Sequence, residues 1–266
     1  MLIVAYLATG IVAGFFAGLL GVGGGVIMVP ALAMTLAAAG LPADYLLQVA
    51  LGTSMATILF TSLSSLRAHH RHGAVLWPVV RDFTPGVLLG TGLGTLLARH
   101  VSTQALAIFF AAFMLFVAVQ MSLGLRPQAQ RALPGRVGVA AAGGVIGAVS
   151  ALAAIGGGAM TVPFLTWCNV SVRQAVGTSA AVGFPIAVGG TVGYVLNGLA
   201  IDALPAGSLG FVYLPALLWM AAASTLAAPL GARLAHRLPA VLLRRIFAAL
   251  LIVLAVKMLS SLFAGR

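Results

Sequence analysis

The chain has 266 residues, of which 62% are hydrophobic and only 6% charged, against roughly 25% charged in an ordinary soluble domain. A soluble globule is excluded. The formal charge is +11, but the thirteen arginines fall in short stretches between apolar runs, where they orient a membrane protein, so no nucleic-acid partner is expected.

With a mean hydropathy of +1.15 and about 20 apolar residues needed per span, the chain reads as an all-α polytopic membrane protein whose solvent partner is the lipid bilayer. Stretches such as Ala107 to Met121 carry no strand-like alternation, which excludes an outer-membrane barrel. The first apolar segments are 2–20 and 26–39. As one helix, 2–39 would be about 57 Å long against a hydrocarbon core of about 30 Å, so the glycines within 21–25 are predicted to fold it back. Segments 48–66, 83–98 and 103–124 follow, then a polar stretch at 125–136. The remaining segments are 137–155, 159–168, 175–196, 211–230 and 241–263, with a second glycine break at Gly156, Gly157 and Gly158. The arms 26–39 and 159–168 are short enough to be re-entrant. No charged n-region or small-residue cleavage site precedes the first segment, so signal-peptide removal is not expected. The single cysteine, Cys168, excludes an internal disulfide and any multi-cysteine metal or redox site.

The two halves echo each other. GVGGGVIMVPAL (Gly21 to Leu32) matches AIGGGAMTVPFL (Ala154 to Leu165), and QVALGTS (Gln48 to Ser54) matches QAVGTS (Gln174 to Ser179). A weaker match aligns GTLLARHV (Gly94 to Val101) with GARLAHRL (Gly231 to Leu238). Three matches in the same order read as a repeat: 1–124 is the first unit, 125–136 a linker and 137–266 the second unit. If each glycine hairpin returns to its starting side, Arg67, Arg71, Arg81, Arg126, Arg131, Arg136, Arg173, Arg233, Arg237, Arg244 and Arg245 share one face. Only Arg99 and Arg266 lie on the other. The richer face is predicted to be cytoplasmic, which places both termini on the periplasmic side of an inner membrane and makes the halves inverted repeats of five elements. Inverted repeats with helices broken at matched positions point to a transporter whose site lies near the midplane.

Glycines at a buried helix break leave backbone N–H groups free, and the helix that starts after them aims its positive end at the break, an arrangement that attracts anions without a cationic side chain. Gly23, Gly24 and Gly25, with Gly156, Gly157 and Gly158, are therefore candidates to bind a small anionic substrate. Thr53, Ser54, Thr178 and Ser179 would add hydroxyl donors. Gln48 and Gln174, about one turn earlier on nearly the same helical face, would add amide donors. Glycine, serine and threonine also serve helix packing in membranes, and it is their ordered repetition that favours a site. Pro30 and Pro163 are expected to kink the second arms, and glycines within the spans, such as Gly143, to tolerate change better than those at the breaks.

The paired G-x-G-G-G-x-x-x-V-P and G-T-S motifs on a small inverted-repeat chain resemble the TauE/SafE family of anion transporters, the sulfite exporter and toluenesulfonate uptake family. The resemblance covers nearly the whole chain, with one departure: Ala154 stands where the first motif has Gly21. It implies transport of sulfite, an organosulfonate or a related sulfur oxyanion; export by alternating access is the expected mode. An uptake permease for another anion, a membrane-embedded enzyme with Ser54 or Ser179 as nucleophile, and a structural subunit are the rival readings. A homodimer stays open.

Other signals are weaker. GVGGG is no dinucleotide loop, since Val26 occupies the last glycine position and no strand precedes it. His69, His70 and His72 sit in a basic stretch without an accompanying acid or cysteine, so no metal is expected. Arg173, beside Gln174, reads as an inside anchor that could also draw anions, and Lys257 as a residue that snorkels. The only carboxylates, Asp44, Asp82 and Asp202, fall at segment ends. Neither a carboxylate proton relay nor a cofactor or metal centre for hydrolysis is expected.

Overall fold

The structure, a computed structural model, describes residues 2–21, 23–41, 43–122, 132–234 and 240–264. Among these are ten α-helices: α1 (Leu2–Leu20), α2 (Gly25–Ala38), α3 (Leu46–Arg71), α4 (Trp77–His100), α5 (Thr103–Ser122), α6 (Arg136–Ala153), α7 (Gly158–Trp167), α8 (Val172–Gly198), α9 (Leu214–Leu234) and α10 (Ala240–Ala264). Every apolar segment is represented by a helix. Six of them, α1, α3, α5, α6, α8 and α9, are long and apolar enough to cross a membrane. The chain is an all-α multi-pass membrane protein. Leu89, Val145 and Leu226 stand on its outer surface, more than half exposed, as lipid-facing side chains should.

The second arms are half-length elements. α2 has 14 residues and α7 has 10, about 21 and 15 Å at 1.5 Å per residue, well short of a hydrocarbon core of about 30 Å. Their proline interruptions, Pro30 and Pro163, lie at the sixth position of each helix.

One expected boundary is corrected. Segment 211–230 does not begin as a helix, because Val212–Tyr213 (β2) pairs antiparallel with Ser208–Leu209 (β1) and α9 starts only at Leu214. Gly207 and Gly210 have φ of +85° and +53°, a conformation glycine enters at little cost. Gly210 also lies against the Val195 carbonyl, where a Cβ would clash. The chain therefore doubles back before the helix can start.

Packing between the halves follows close backbone approach, the main source of helix association where lipid removes the hydrophobic drive. Gly10, Gly14 and Gly18 of α1 face Met220, Ser224 and Ala228 of α9 in turn, so these helices run parallel. Gly86, Gly90 and Gly94 of α4 face Ala140, Gly144 and Ala148 of α6 in the same parallel sense. The pair α3 and α8 is antiparallel, with Gly52 near Tyr194 and Gly190 near Met55. Exchanging α1 with α6, α3 with α8 and α4 with α9 turns one set of neighbours into the other. Gly143 belongs to the α4–α6 seam, where an added Cβ would stand 2.7 Å from the Phe83 carbonyl oxygen. The expectation that it tolerates change better is not supported, since a side chain there separates two helices.

Basic residues gather at one end. Arg173 Nη2 donates to the His72 carbonyl at 2.6 Å, and Arg81 and Arg136 lie 3.4 and 4.0 Å from the Asp82 carboxylate. Arg67, Arg71 and Arg233 line one cleft at that end. Arg126, Arg131, Arg237 and Arg266, and residues 125–131 of the expected linker, lie outside the described residues.

Candidate functional site

Both glycine breaks are built alike. α1 is followed by Gly21 at φ +69° and α6 by Ala154 at φ +45°, so the departure from the motif keeps the left-handed turn. α2 and α7 then begin after Gly24 (φ 79°, ψ −12°) and Gly157 (φ 82°, ψ −21°), neither of which supplies a side-chain cap. A residue with a Cβ in this region costs about 1–2 kcal/mol, which explains the glycines.

The two breaks touch. A Cβ on Gly23 would stand 2.6 Å from Gly156 Cα, and one on Gly156 would stand 2.8 Å from Gly23 Cα. Gly25 faces the Ala154 carbonyl, Ile58 of α3 covers both Gly23 and Gly156, and Ile186 of α8 covers Gly157. Gly23, Gly24, Gly25, Gly156, Gly157 and Gly158 are all buried. Ile27 and Met160 already bond the Gly24 and Gly157 carbonyls, so the N–H groups of Gly25 and Val26 and of Gly158 and Ala159 are the ones no intrahelical carbonyl can satisfy, and the two helix N-termini open at a single buried contact between the halves.

The two G-T-S motifs form a reciprocal clasp. Thr53 Oγ1 accepts the Tyr213 N–H at 2.9 Å, and Thr178 Oγ1 accepts the Leu76 N–H at 3.0 Å. Each threonine thus holds the last residue before the fourth helix of the opposite half. Gly52 and Gly177 make room for the same loops, meeting the carbonyls of Phe211 and Ala74. The serines diverge: Ser179 Oγ donates to the Val176 carbonyl at 2.8 Å, whereas Ser54 Oγ is buried with no hydrogen-bond partner. Ser54 lies one helical turn before Ile58, which covers the glycine contact.

The glutamines are not brought to the glycines. Gln48 Nε2 donates to the Val101 carbonyl at 3.2 Å and its Oε1 accepts from Thr103 Oγ1 at 3.0 Å, tying the start of α3 to the α4–α5 corner. Gln174 Oε1 accepts from Ser171 Oγ at 2.9 Å, in the first turn of α8. Both side chains close helix ends.

Sequence reasoning missed Thr161 and the buried polar residues Thr57, Thr61 and Ser65 that join Thr53 to His69 along α3. Thr161, in the first turn of α7, is fully buried and its Oγ1 has no partner; it would lie 3.3 Å from a Cβ on Gly157. Thr53, Thr57, Thr61, Ser65 and His69 form a buried file along α3, in which Thr61 Oγ shares a 2.7 Å hydrogen bond with Ser224 Oγ of α9 and His69 Nε2 lies 3.2 Å from the Gly18 carbonyl. Their strict i, i+4 spacing is a signal that attention to the G-T-S motif alone passes over. The matching positions of α8 after Thr178 are Val182, Ile186, Gly190 and Tyr194, so the polar file belongs to the first half.

Comparison with known proteins finds membrane transporters. A probable membrane transporter protein of Haemophilus influenzae is 36% identical over 253 residues, 95% of this chain and 96% of the relative. The probable membrane transporter protein YunE of Bacillus subtilis is 28% identical over 74% of this chain and 80% of its own. A probable membrane transporter protein of Methanocaldococcus jannaschii is 24% identical across 97% of this chain and 96% of its own. No solved structure matches. The family model for the sulfite exporter TauE/SafE matches residues 6–258, and the chain belongs to that family of membrane transporters.

Proposed function

We propose that the chain exports a small sulfur oxyanion, sulfite or an organosulfonate, by alternating access through a site at the contact between the two glycine breaks. The observation that carries this reading is the pairing of two uncapped helix N-termini, after Gly24 and Gly157, at one buried point. Oriented N–H groups favour an anion there; the unpartnered hydroxyl of Thr161 lies beside Gly157, and that of Ser54, one helical turn before the Ile58 that covers the contact, is a second available donor. Donors of this kind hold an anion without the tight grip of a guanidinium, and transport needs release as well as binding.

The halves act as inverted repeats that rock about this contact. Support comes from the parallel pairs α1 with α9 and α4 with α6, and from the reciprocal threonine clasp. With α1 to α5 alternating in direction, α6 running parallel to α4 starts the second half from the opposite side. The arginine-rich end is cytoplasmic by the positive-inside rule, which puts both termini outside an inner membrane. Gly135→Cys in a Cys168→Ala background should be shielded from an impermeant thiol reagent in intact cells and react after permeabilisation. Reaction in intact cells would reverse the orientation.

Purified protein in liposomes provides the direct test. An imposed potassium–valinomycin potential, negative on the anion-loaded side, should drive sulfite out without a proton or sodium gradient, since the potential supplies about 2.3 kcal/mol per charge per 100 mV. Ser54→Ala should raise KM about two- to tenfold, the worth of one hydrogen bond, without lowering the melting temperature, because that hydroxyl has no protein partner to lose. Flux driven by a pH gradient and not by potential would overturn the uncoupled mechanism. No sulfite or sulfonate flux under either gradient would overturn the substrate.

A further inference from the structure

At the arginine-rich end, a cleft of about 510 Å³ opens between α3 and α9. Its origin is legible in the backbone. Pro229 lies inside α9 and has no N–H to give the Thr225 carbonyl; Ser64 Oγ of α3 donates to that carbonyl instead, at 2.9 Å. Beyond this bond the walls of the cleft divide by chemistry. Phe60, Leu63 and Pro229 form an apolar part, and Phe60 is 45% exposed. One to two turns further along, Arg67 and Arg71 of α3 and Arg233 of α9 converge.

These three guanidinium groups make no hydrogen bond or ion pair with a described residue, and no acid lines the cleft. Asp82 is engaged by Arg81 and Arg136. Asp44 sits at the other end, where its carbonyl accepts from Thr103, and Asp202 lies in the α8–α9 connection. Three clustered positive charges call for an anion from outside the chain. A free oxyanion would use the arginines and leave the apolar wall against lipid tails. A lipid uses both.

We propose that this cleft binds an anionic glycerophospholipid from the leaflet at the arginine-rich end, its phosphate held by Arg67, Arg71 and Arg233 and an acyl chain lying along Phe60, Leu63 and Pro229. Basic clefts between membrane helices are suited to such headgroups. The site lies apart from the glycine contact and does not depend on which substrate is carried.

The test is native mass spectrometry of the full chain in detergent, titrated with phosphatidylglycerol, with phosphatidylcholine, or with sodium sulfate, alongside thermal melting under the same conditions. Phosphatidylglycerol should be retained and should raise the melting temperature, while phosphatidylcholine and sulfate should not. The triple variant Arg67→Gln, Arg71→Gln, Arg233→Gln should lose affinity for phosphatidylglycerol on the order of 100-fold, and each single variant about fivefold. The single variants keep the proposal testable should the triple variant fold poorly. Equal retention of both lipids by the wild type, or unchanged retention by the single variants, would overturn it. Stabilisation by sulfate equal to that by phosphatidylglycerol, lost in the same variants, would instead make the cleft a vestibule for free oxyanions.

Discussion

Gly23→Val and Gly156→Val should each reduce sulfite flux to below about a tenth of wild type at normal membrane abundance. At both positions the neighbour is backbone, not the end of a flexible side chain: a Cβ on either would lie within 2.8 Å of the other glycine's Cα. Overpacking of this sort costs about 1–3 kcal/mol, and at Gly23, where φ is +84°, the left-handed backbone adds about 1–2 kcal/mol. The strain falls on the contact between the halves, so it displaces the two helix N-termini of the proposed site. Gly92→Ala is the control, since nothing stands within 4 Å of its Cβ position. Liposome flux normalised to reconstituted protein decides the matter; wild-type rates in both valine variants would make the breaks scaffolding alone.

The double variant Thr53→Val, Thr178→Val should lower the thermal stability of the detergent-solubilised protein more than either single change. Valine keeps the shape of threonine but removes the acceptor, leaving the Tyr213 and Leu76 N–H groups unsatisfied at about 1–3 kcal/mol each. The two bonds lie toward opposite ends of the antiparallel α3–α8 pair and share no partner, so their effects should add. Thr53→Ser with Thr178→Ser retains both acceptors and should melt near wild type. A double valine variant as stable as wild type would remove the clasp from the account.

Much of this architecture was readable from residue order. The ten apolar segments correspond to ten helices because lipid forces each backbone to satisfy its own hydrogen bonds, and the glycine runs had to be breaks because 38 residues overshoot the bilayer. The β1–β2 hairpin was not readable: Phe211, Val212 and Tyr213 are as apolar as the helix they precede, and only Gly207 and Gly210, both at left-handed φ and the second against Val195, set them apart. The candidate site divided along similar lines. Repetition identified the breaks and the G-T-S motifs, but repetition also attends structural devices, and Thr53, Thr178, Gln48 and Gln174 all hold backbone or side-chain partners within the protein. Nothing in sequence separates Ser54 from Ser179; each follows a carbonyl three residues back on its own helix, and only Ser179 Oγ turns to bond it, that of Val176.

The pairing of α1 with α9 also constrains how the protein is made. Gly14 meets Ser224, 210 positions later in the chain, and at about 5–20 residues per second that interval is roughly 10–40 s of synthesis. Through that time the glycine face of α1 lacks the helix it packs on, and the same holds more briefly for α4 until α6 emerges. Neither half can complete its own packing, because each supplies the seam the other lacks. Assembly must therefore finish late, by mutual capture of two partly ordered sets of inserted helices, and the interval before α9 emerges is when the young chain is most exposed to membrane quality-control proteases.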